Sequence, residues 1–265
     1  MQIVTEYPNG LFSWVDLMTT DVEGARAFYA GLFGWEVVDI PLPMGGSYTK
    51  YQIDGNDVAG MGGMSPEMIE QGVPSFWTSY VKHDDVDSVF ANVAAAGGTP
   101  MMPPMDVMDE GRMAMIQDPA GAVFGVWQPK NHIGAQVVNY PNTLIWNELQ
   151  TGDVAGAREF YATLFGWTYG EDESGYIAVS NDGRVQAGMM AIGEDWGPMP
   201  PNWAAYFMVE DVEAGAARAQ ELGGTVIVPP TSAGEMGRFA VIQDPQGAAF
   251  TIMEFNGPVD PPPGF

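Results

Sequence analysis

The stretch DVEGARAFYAGLFGW, from Asp21 to Trp35, returns as DVAGAREFYATLFGW from Asp153 to Trp167, 132 positions further along the chain. In each copy an aspartate stands where its side chain can accept a backbone N–H as an N-cap. Apolar residues follow at helical spacing (Ala25, Phe28, Tyr29 and Leu32 in the first copy), and a glycine, Gly34 or Gly166, supplies a left-handed stop. A chain that spells one amphipathic helix twice is built from two copies of one unit.

The flanks extend the repeat. Ser13 to Thr19 alternates polar and apolar residues like a half-buried strand, a helix over 21–33 follows, and WEVVDI, SYTKYQI and DVAGMGG read as three short strands up to Gly63. The pattern then restarts within the same copy. Phe76 to Lys82 reads as a strand, 85–96 as a helix closed by Gly97 and Gly98, and TPMMPPM, RMAMIQD and AVFGVWQ as three more strands. Each copy is thus two βαβββ units. The second copy opens with Leu144 to Thr151, places its helix at 153–165, and starts its second half at Trp203. Gly97-Gly98 and Gly223-Gly224, Pro103-Pro104 and Pro229-Pro230, Gly111-Arg112 and Gly237-Arg238, and Asp118-Pro119 and Asp244-Pro245 all lie 126 apart. The shorter offset puts the length differences in loops. The boundaries read as a first domain over 1–128, a linker over 129–142, a second domain over 143–256, and a proline-rich tail over 257–265 that is too poor in core-forming residues to order itself.

Composition narrows the partners. Nine Lys and Arg stand against 34 Asp and Glu, a formal net charge of −25, so nucleic acid, which needs clustered basic residues, is excluded as a partner. No apolar run reaches the length of a membrane span, and MQIVTEYPNG lacks a basic flank and an apolar signal core, so the expectation is a soluble cytoplasmic protein that does not engage a membrane. The absence of cysteine fits a reducing compartment.

The D-x-x-x-A-x-x-FY-x-x-LFGW helix, the acidic helix starts at Asp85-Val86-Asp87 and Asp211-Val212-Glu213, and the DPxG turns at Asp118 to Gly121 and Asp244 to Gly247 resemble the vicinal oxygen chelate superfamily of glyoxalases, bleomycin resistance proteins and extradiol dioxygenases. WVDL, GRMAMIQDP, NHIGA and TLIWNEL are similar to its two-domain actinobacterial branch of glyoxalase-like "hydroxylases". The resemblance implies an α+β fold of tandem glyoxalase-like domains, each a curved, partly closed mixed β-sheet with helices outside. It also implies a small-molecule ligand, and an intramolecular pairing of domains in a monomer or homodimer.

It further implies a divalent metal held by His, Gln or Glu on equivalent strands. Those positions fall on Trp14, Thr78 and Gly125 in the first copy and on Trp146, Ala204 and Thr251 in the second, none of which is a good ligand. His83 and His132 lie at a helix entrance and in the linker, away from the ligand strands. No cofactor is therefore expected. The alternative is a divalent metal at a non-standard site using Asp16 or Glu148.

Side-chain alternation puts Asp16 and Met18 on the face of Trp14, and Glu148 and Gln150 on the face of Trp146. A carboxylate on an inner face points to acid–base work. The expected catalytic set is Asp16 and Glu148, with Arg112 and Arg238 as electrostatic partners. The alternative for the arginines is that each ties down a local acidic loop. The expected ligand-binding set is Trp14, Met18, Trp127, Trp146, Gln150, Thr251 and Met253. Met68, Trp196 and Met199 sit near the mouths, and Gly60, Gly62, Gly125 and Gly188 leave room for a ligand or mark bulges. Such a lining suits an apolar or aromatic, planar molecule. Metal-independent proton transfer, lyase or hydroxylase-type chemistry, a metal-dependent glyoxalase or dioxygenase with displaced ligands, and a drug- or metabolite-sequestering resistance protein remain the open readings.

Overall fold

In the computed structural model, which describes residues 1–43 and 45–257, the two copies form two eight-stranded mixed sheets. The first copy contributes β1 (Phe12–Thr19), α1 (Val22–Phe33), β2 (Glu36–Pro41), β3 (Ser47–Ile53), β4 (Asn56–Gly63), α2 (Pro66–Glu70), β5 (Phe76–Lys82), α3 (Val86–Asn92), β6 (Thr99–Val107), β7 (Gly111–Gln117) and β8 (Val123–Pro129). The second contributes β9 (Leu144–Thr151), α4 (Val154–Phe165), β10 (Thr168–Glu171), β11 (Ile177–Asn181), β12 (Arg184–Ala191), β13 (Asn202–Met208), α5 (Val212–Glu221), β14 (Thr225–Ser232), β15 (Gly237–Gln243) and β16 (Ala249–Phe255), with 3-10 turns at Glu194–Trp196 and Gly234–Met236.

The strand order is β2-β3-β4-β1-β5-β8-β7-β6 in one sheet and β10-β11-β12-β9-β13-β16-β15-β14 in the other. Neither sheet closes into a barrel. The two βαβββ units of a copy meet where β1 runs antiparallel to β5, and where β9 runs antiparallel to β13.

Helix α1 forms where the sequence places it. Asp21 accepts from the Gly24 N–H, Gly34 adopts φ 71°, and Ala25, Phe28, Tyr29 and Phe33 bury one face. The buried face packs on both copies at once. Phe28, Tyr29 and Phe33 lie against Phe250, and Phe33 also meets Phe207, both from the second copy. Helix α4 returns the arrangement, with Phe160, Tyr161 and Phe165 against Phe124 of the first copy. Each such aromatic contributes about 1.5–3 kcal/mol of burial, so neither sheet has a complete core without the other copy's helix.

Two elements differ from expectation. The second helix, expected to reach Ala96, ends at Asn92, and the Ala-rich remainder tightens into three-residue turns, Val93 N–H to Phe90 O and Gly97 N–H to Ala94 O, with Gly97 at φ 93°. The loop after β4 contains α2, capped by the Ser65 hydroxyl, which accepts from the Met68 N–H. The linker is stitched to the first copy. Ala135 N–H donates to Ser13 O, Gln136 N–H to Asp57 O, and Val4 N–H to Gln136 O. The proline-rich tail from residue 258 onward lies outside the described residues.

Candidate functional site

The helices cover one face of each sheet and leave the other as a cup. On β1, Asp16 points into the first cup, only 8% exposed. Two tyrosine hydroxyls donate to its Oδ2: Tyr48 from β3 and Tyr80 from β5, each at 3.3 Å. The indole N–H of Trp14 donates in turn to the Tyr48 hydroxyl at 3.0 Å. The other carboxyl oxygen, Oδ1, is buried and has no protein hydrogen-bond partner. Burial pushes the Asp16 carboxyl up to about 7, against the two tyrosine hydrogen bonds that lower it. Burial, and next the neighbouring Asp16, hold Tyr48 and Tyr80 well above the ordinary phenol range, so both stay protonated donors.

The second cup repeats this chain of donors. Trp146 Nε1–H donates to the Tyr176 hydroxyl at 2.9 Å, which donates to Glu148 Oε2 at 3.0 Å. Glu148 Oε1 accepts from Tyr206 at 2.7 Å and from Gln150 Nε2 at 3.1 Å. Both oxygens of Glu148 are therefore satisfied, where Asp16 keeps one bare.

The four tyrosines were not among the residues expected from the sequence. Their signal was present: Tyr48 and Tyr176 stand 128 apart and Tyr80 and Tyr206 stand 126 apart, within the drift of the repeat. The glycines explain how they fit. A Cβ at Gly60 would collide with the Tyr48 hydroxyl, one at Gly188 with the Tyr176 hydroxyl, and one at Gly125 with the Tyr80 ring. The space these glycines leave is filled by the protein's own phenol groups rather than held open for a ligand.

Arg112 and Arg238 are not brought to the carboxylates. Arg112 makes a two-pronged contact with Asp87 at 2.8 and 2.9 Å, and Arg238 meets Glu213 at 2.7 Å, in each copy a half-buried arginine on an exposed carboxylate 25 residues away. Asp87 and Glu213 open α3 and α5 on the helix-covered face, so the arginines tie helix to sheet there. Trp127 is buried and donates to His132 O at 2.8 Å. His132 is not a surface loop residue. It is 8% exposed, its ring stands edge-on to Trp14 at 4.4 Å, and its Nδ1 lies 3.6 Å from Asp57 Oδ2. Burial raises Asp57, but His132, Gln52 and Lys50 outweigh it and hold the carboxyl at about 2. The linker thus stoppers one end of the first cup, and Trp14 is 4% exposed whereas its counterpart Trp146 is half-buried.

Met18 pairs with Phe76 across β1 and β5 and is half-buried. Gln150 takes the matching place in the second cup, across from Asn202. Thr251 lies beside Tyr206 and Met253 beside Met208 on β13 and β16. Trp196 is 44% exposed on its 3-10 turn.

The residues present do not suit a divalent metal. Trp14 offers an N–H that is already donated, Thr78 is a neutral hydroxyl, and Gly125 has no side chain. In the second copy Trp146, Ala204 and Thr251 are no better. Among the described residues no three His, Asp, Glu or Cys side chains gather so that they could hold a metal ion. Asp16 and Glu148 are each held by two phenol donors instead.

Tandem eight-stranded sheets, each with its two βαβββ halves joined at the first and fifth strands, define a class, and the model of the Glyoxalase/Bleomycin resistance protein/Dioxygenase superfamily matches residues 11–126 and 136–252. The chain belongs to that superfamily. It is similar to "Putative glyoxylase CFP32" of Mycobacterium tuberculosis, with 43% identity over 94% of this chain and 97% of the relative. It is also similar to the anthracycline biosynthesis protein DnrV of Streptomyces peucetius, with 36% identity over 96% of each. In fold it resembles the 2,3-dioxygenase LapB from Pseudomonas sp. KL28, with TM-score 0.66, 15% identity and coverage of 96% and 95%. It likewise resembles the Mn(II)-bound glyoxalase from Novosphingobium aromaticivorans, with TM-score 0.63, 17% identity and coverage of 94% and 83%. Among the described residues no helix is long and apolar enough to cross a membrane.

Proposed function

We propose that the first cup binds an apolar or aromatic small molecule and exchanges a proton with it through Asp16, without a metal. The observation that carries this reading is the bare Oδ1 of a buried carboxyl whose Oδ2 is held by two phenols. Near neutral pH a group that titrates at about 7 is present in both forms, which is what a general acid or base requires. Met18 and Phe76, on the same face one pleat along, supply an adaptable apolar wall beside it. A ligand carrying an acidic C–H beside a carbonyl would lose that proton to Oδ1 while the electron pair moves to the carbonyl oxygen. With Arg112 turned to the other face, the Tyr48 and Tyr80 hydroxyls hold Oδ2 and leave Oδ1 as the oxygen that takes the proton. One relative is named for anthracycline biosynthesis, and an anthracycline is a fused-ring aromatic molecule, which agrees with this ligand class. The lack of cysteine and the acidic balance fit a cytoplasmic setting.

The test is a panel of planar aromatic ketones, headed by 2-acetylnaphthalene, screened by thermal shift and then incubated with the protein in D2O. The expected result is stabilisation together with deuterium uptake at the carbon next to the carbonyl, lost in Asp16→Asn while binding persists. Binding with no uptake above background would leave a sequestering protein, and no stabilisation by any member of the panel would remove the ligand class.

A further inference from the structure

The two cups share the carboxyl, the two phenols and the tryptophan, yet their free ends differ in kind. Where the first cup pairs Met18 with Phe76, the second pairs Gln150 with Asn202. These amides are joined to the carboxyl: Asn202 Nδ2 donates to Gln150 Oε1 at 3.4 Å, and Gln150 Nε2 donates to Glu148 Oε1 at 3.1 Å. Trp146, Tyr176, Gln150 and Asn202 are all half-buried, so this row is open to a ligand in a way the stoppered Trp14 is not.

We infer that the second cup takes a neutral, hydroxyl-rich molecule of the sugar or polyol class, a ligand different from that of the first cup. The inference rests on the reading that these cups hold small molecules. Both oxygens of the buried Glu148 already accept hydrogen bonds, from Tyr176, Tyr206 and Gln150, so a cation would have to displace these donors to coordinate it. An anion meets that same carboxyl in a chain of net charge −25. What remains free is amide chemistry: one N–H of Gln150 and the carbonyl oxygen of Asn202, a donor and an acceptor a strand apart. Ring hydroxyls, which donate and accept at once, match that pair, and the half-open indole of Trp146 offers a flat surface for the C–H face of a sugar ring. An apolar ligand would desolvate that N–H of Gln150 and that carbonyl oxygen of Asn202 without giving either a partner, which is costly. Two cups of one ancestry are thereby tuned to opposite polarity by one exchanged pair of residues.

The experiment is saturation-transfer difference NMR on the full chain, with a set of methyl glycosides as one probe and 2-acetylnaphthalene as the other. Wild type is compared with the double variant Gln150→Met, Asn202→Phe, which gives the second cup the residues of the first. The expected result is a methyl glycoside signal from wild type that weakens at least tenfold in apparent affinity in the double variant, with the response to 2-acetylnaphthalene not diminished. Should the double variant melt before the measurement temperature, Gln150→Leu alone is expected to weaken the same signal. No glycoside response from wild type, or an equal response from wild type and a folded variant, overturns the inference. Glycoside binding intact with no response to 2-acetylnaphthalene counts against the reading of the first cup and leaves this one standing.

Discussion

The indole N–H of Trp14 donates to the hydroxyl of Tyr48 at 3.0 Å, and Trp146 does the same to Tyr176 at 2.9 Å. At the place where a metal-holding side chain is expected on the first strand, this protein twice has a donor that fixes a phenol, and the phenol fixes a carboxyl. The cup is thereby organised around proton-bearing groups.

The raised Asp16 carboxyl makes stability depend on pH in a defined direction. Because its value rises from 3.8 to about 7 on folding, its contribution is complete below about pH 4 and is lost as pH climbs through 7. Asp16→Asn removes that dependence. Urea unfolding at pH 5 and pH 8 is expected to show the variant gaining on wild type at the higher pH, by up to about 2.5 kcal/mol in the difference. A difference unchanged between the two pH values would contradict the assignment.

Neighbouring glycines should respond unequally to a methyl group. At Gly60 a Cβ displaces the Tyr48 hydroxyl and also crowds Trp14 at 3.0 Å, breaking two hydrogen bonds, whereas at Gly62 the nearest atom, Met18 Sδ, is 3.4 Å away. Gly60→Ala is expected to cost about 1–3 kcal/mol and Gly62→Ala less than about 1 kcal/mol, read from denaturant midpoints. Equal costs would show that the phenol does not need the space.

The copies should unfold together. Tyr29 of the first donates to Asp244 of the second at 2.9 Å and accepts from Trp77 at 2.9 Å, while Tyr161 donates to Asp118 at 3.1 Å and accepts from Trp203 at 2.8 Å. Each of these aspartates also accepts the backbone N–H groups of its own DPxG turn. Tyr29→Phe leaves a buried carboxyl oxygen and an indole N–H without partners, at about 1–3 kcal/mol. Calorimetry is expected to show one transition in wild type and one, shifted down, in the variant. Two separated transitions would mean the seam does not couple the sheets.

Much of this fold was legible because it is written twice. The capped helix, the left-handed glycines and the DPxG turns depend on local chemistry, and each of them formed where the pattern stood. The inner-face position of Asp16 and Glu148 followed from strand alternation once the resemblance had put Trp14 and Trp146 on that face. The tyrosines escaped because they reach the carboxyls from strands whose loops shift the repeat offset, so their register was not fixed by the first strand. Arg112 and Arg238 allow two readings in the sequence, because a repeated arginine looks the same whether it serves the cup or ties down an acidic segment; Asp87 and Glu213 decide for the tie only once α3 and α5 are laid on the sheet. His132 carried no local signal at all, since its burial depends on a linker folding back between Trp14 and Trp127.

The most direct test is the titration of the Asp16 carboxyl itself, followed by carbon NMR of the side-chain carboxyl in protein labelled at aspartate and assigned with Asp16→Asn. A midpoint near 7, moving higher in Tyr48→Phe because a hydrogen bond to the charged form is removed, is the predicted result. A midpoint near 4, the range of a solvated aspartate, would contradict the claim that this cup is built to hold and pass a proton.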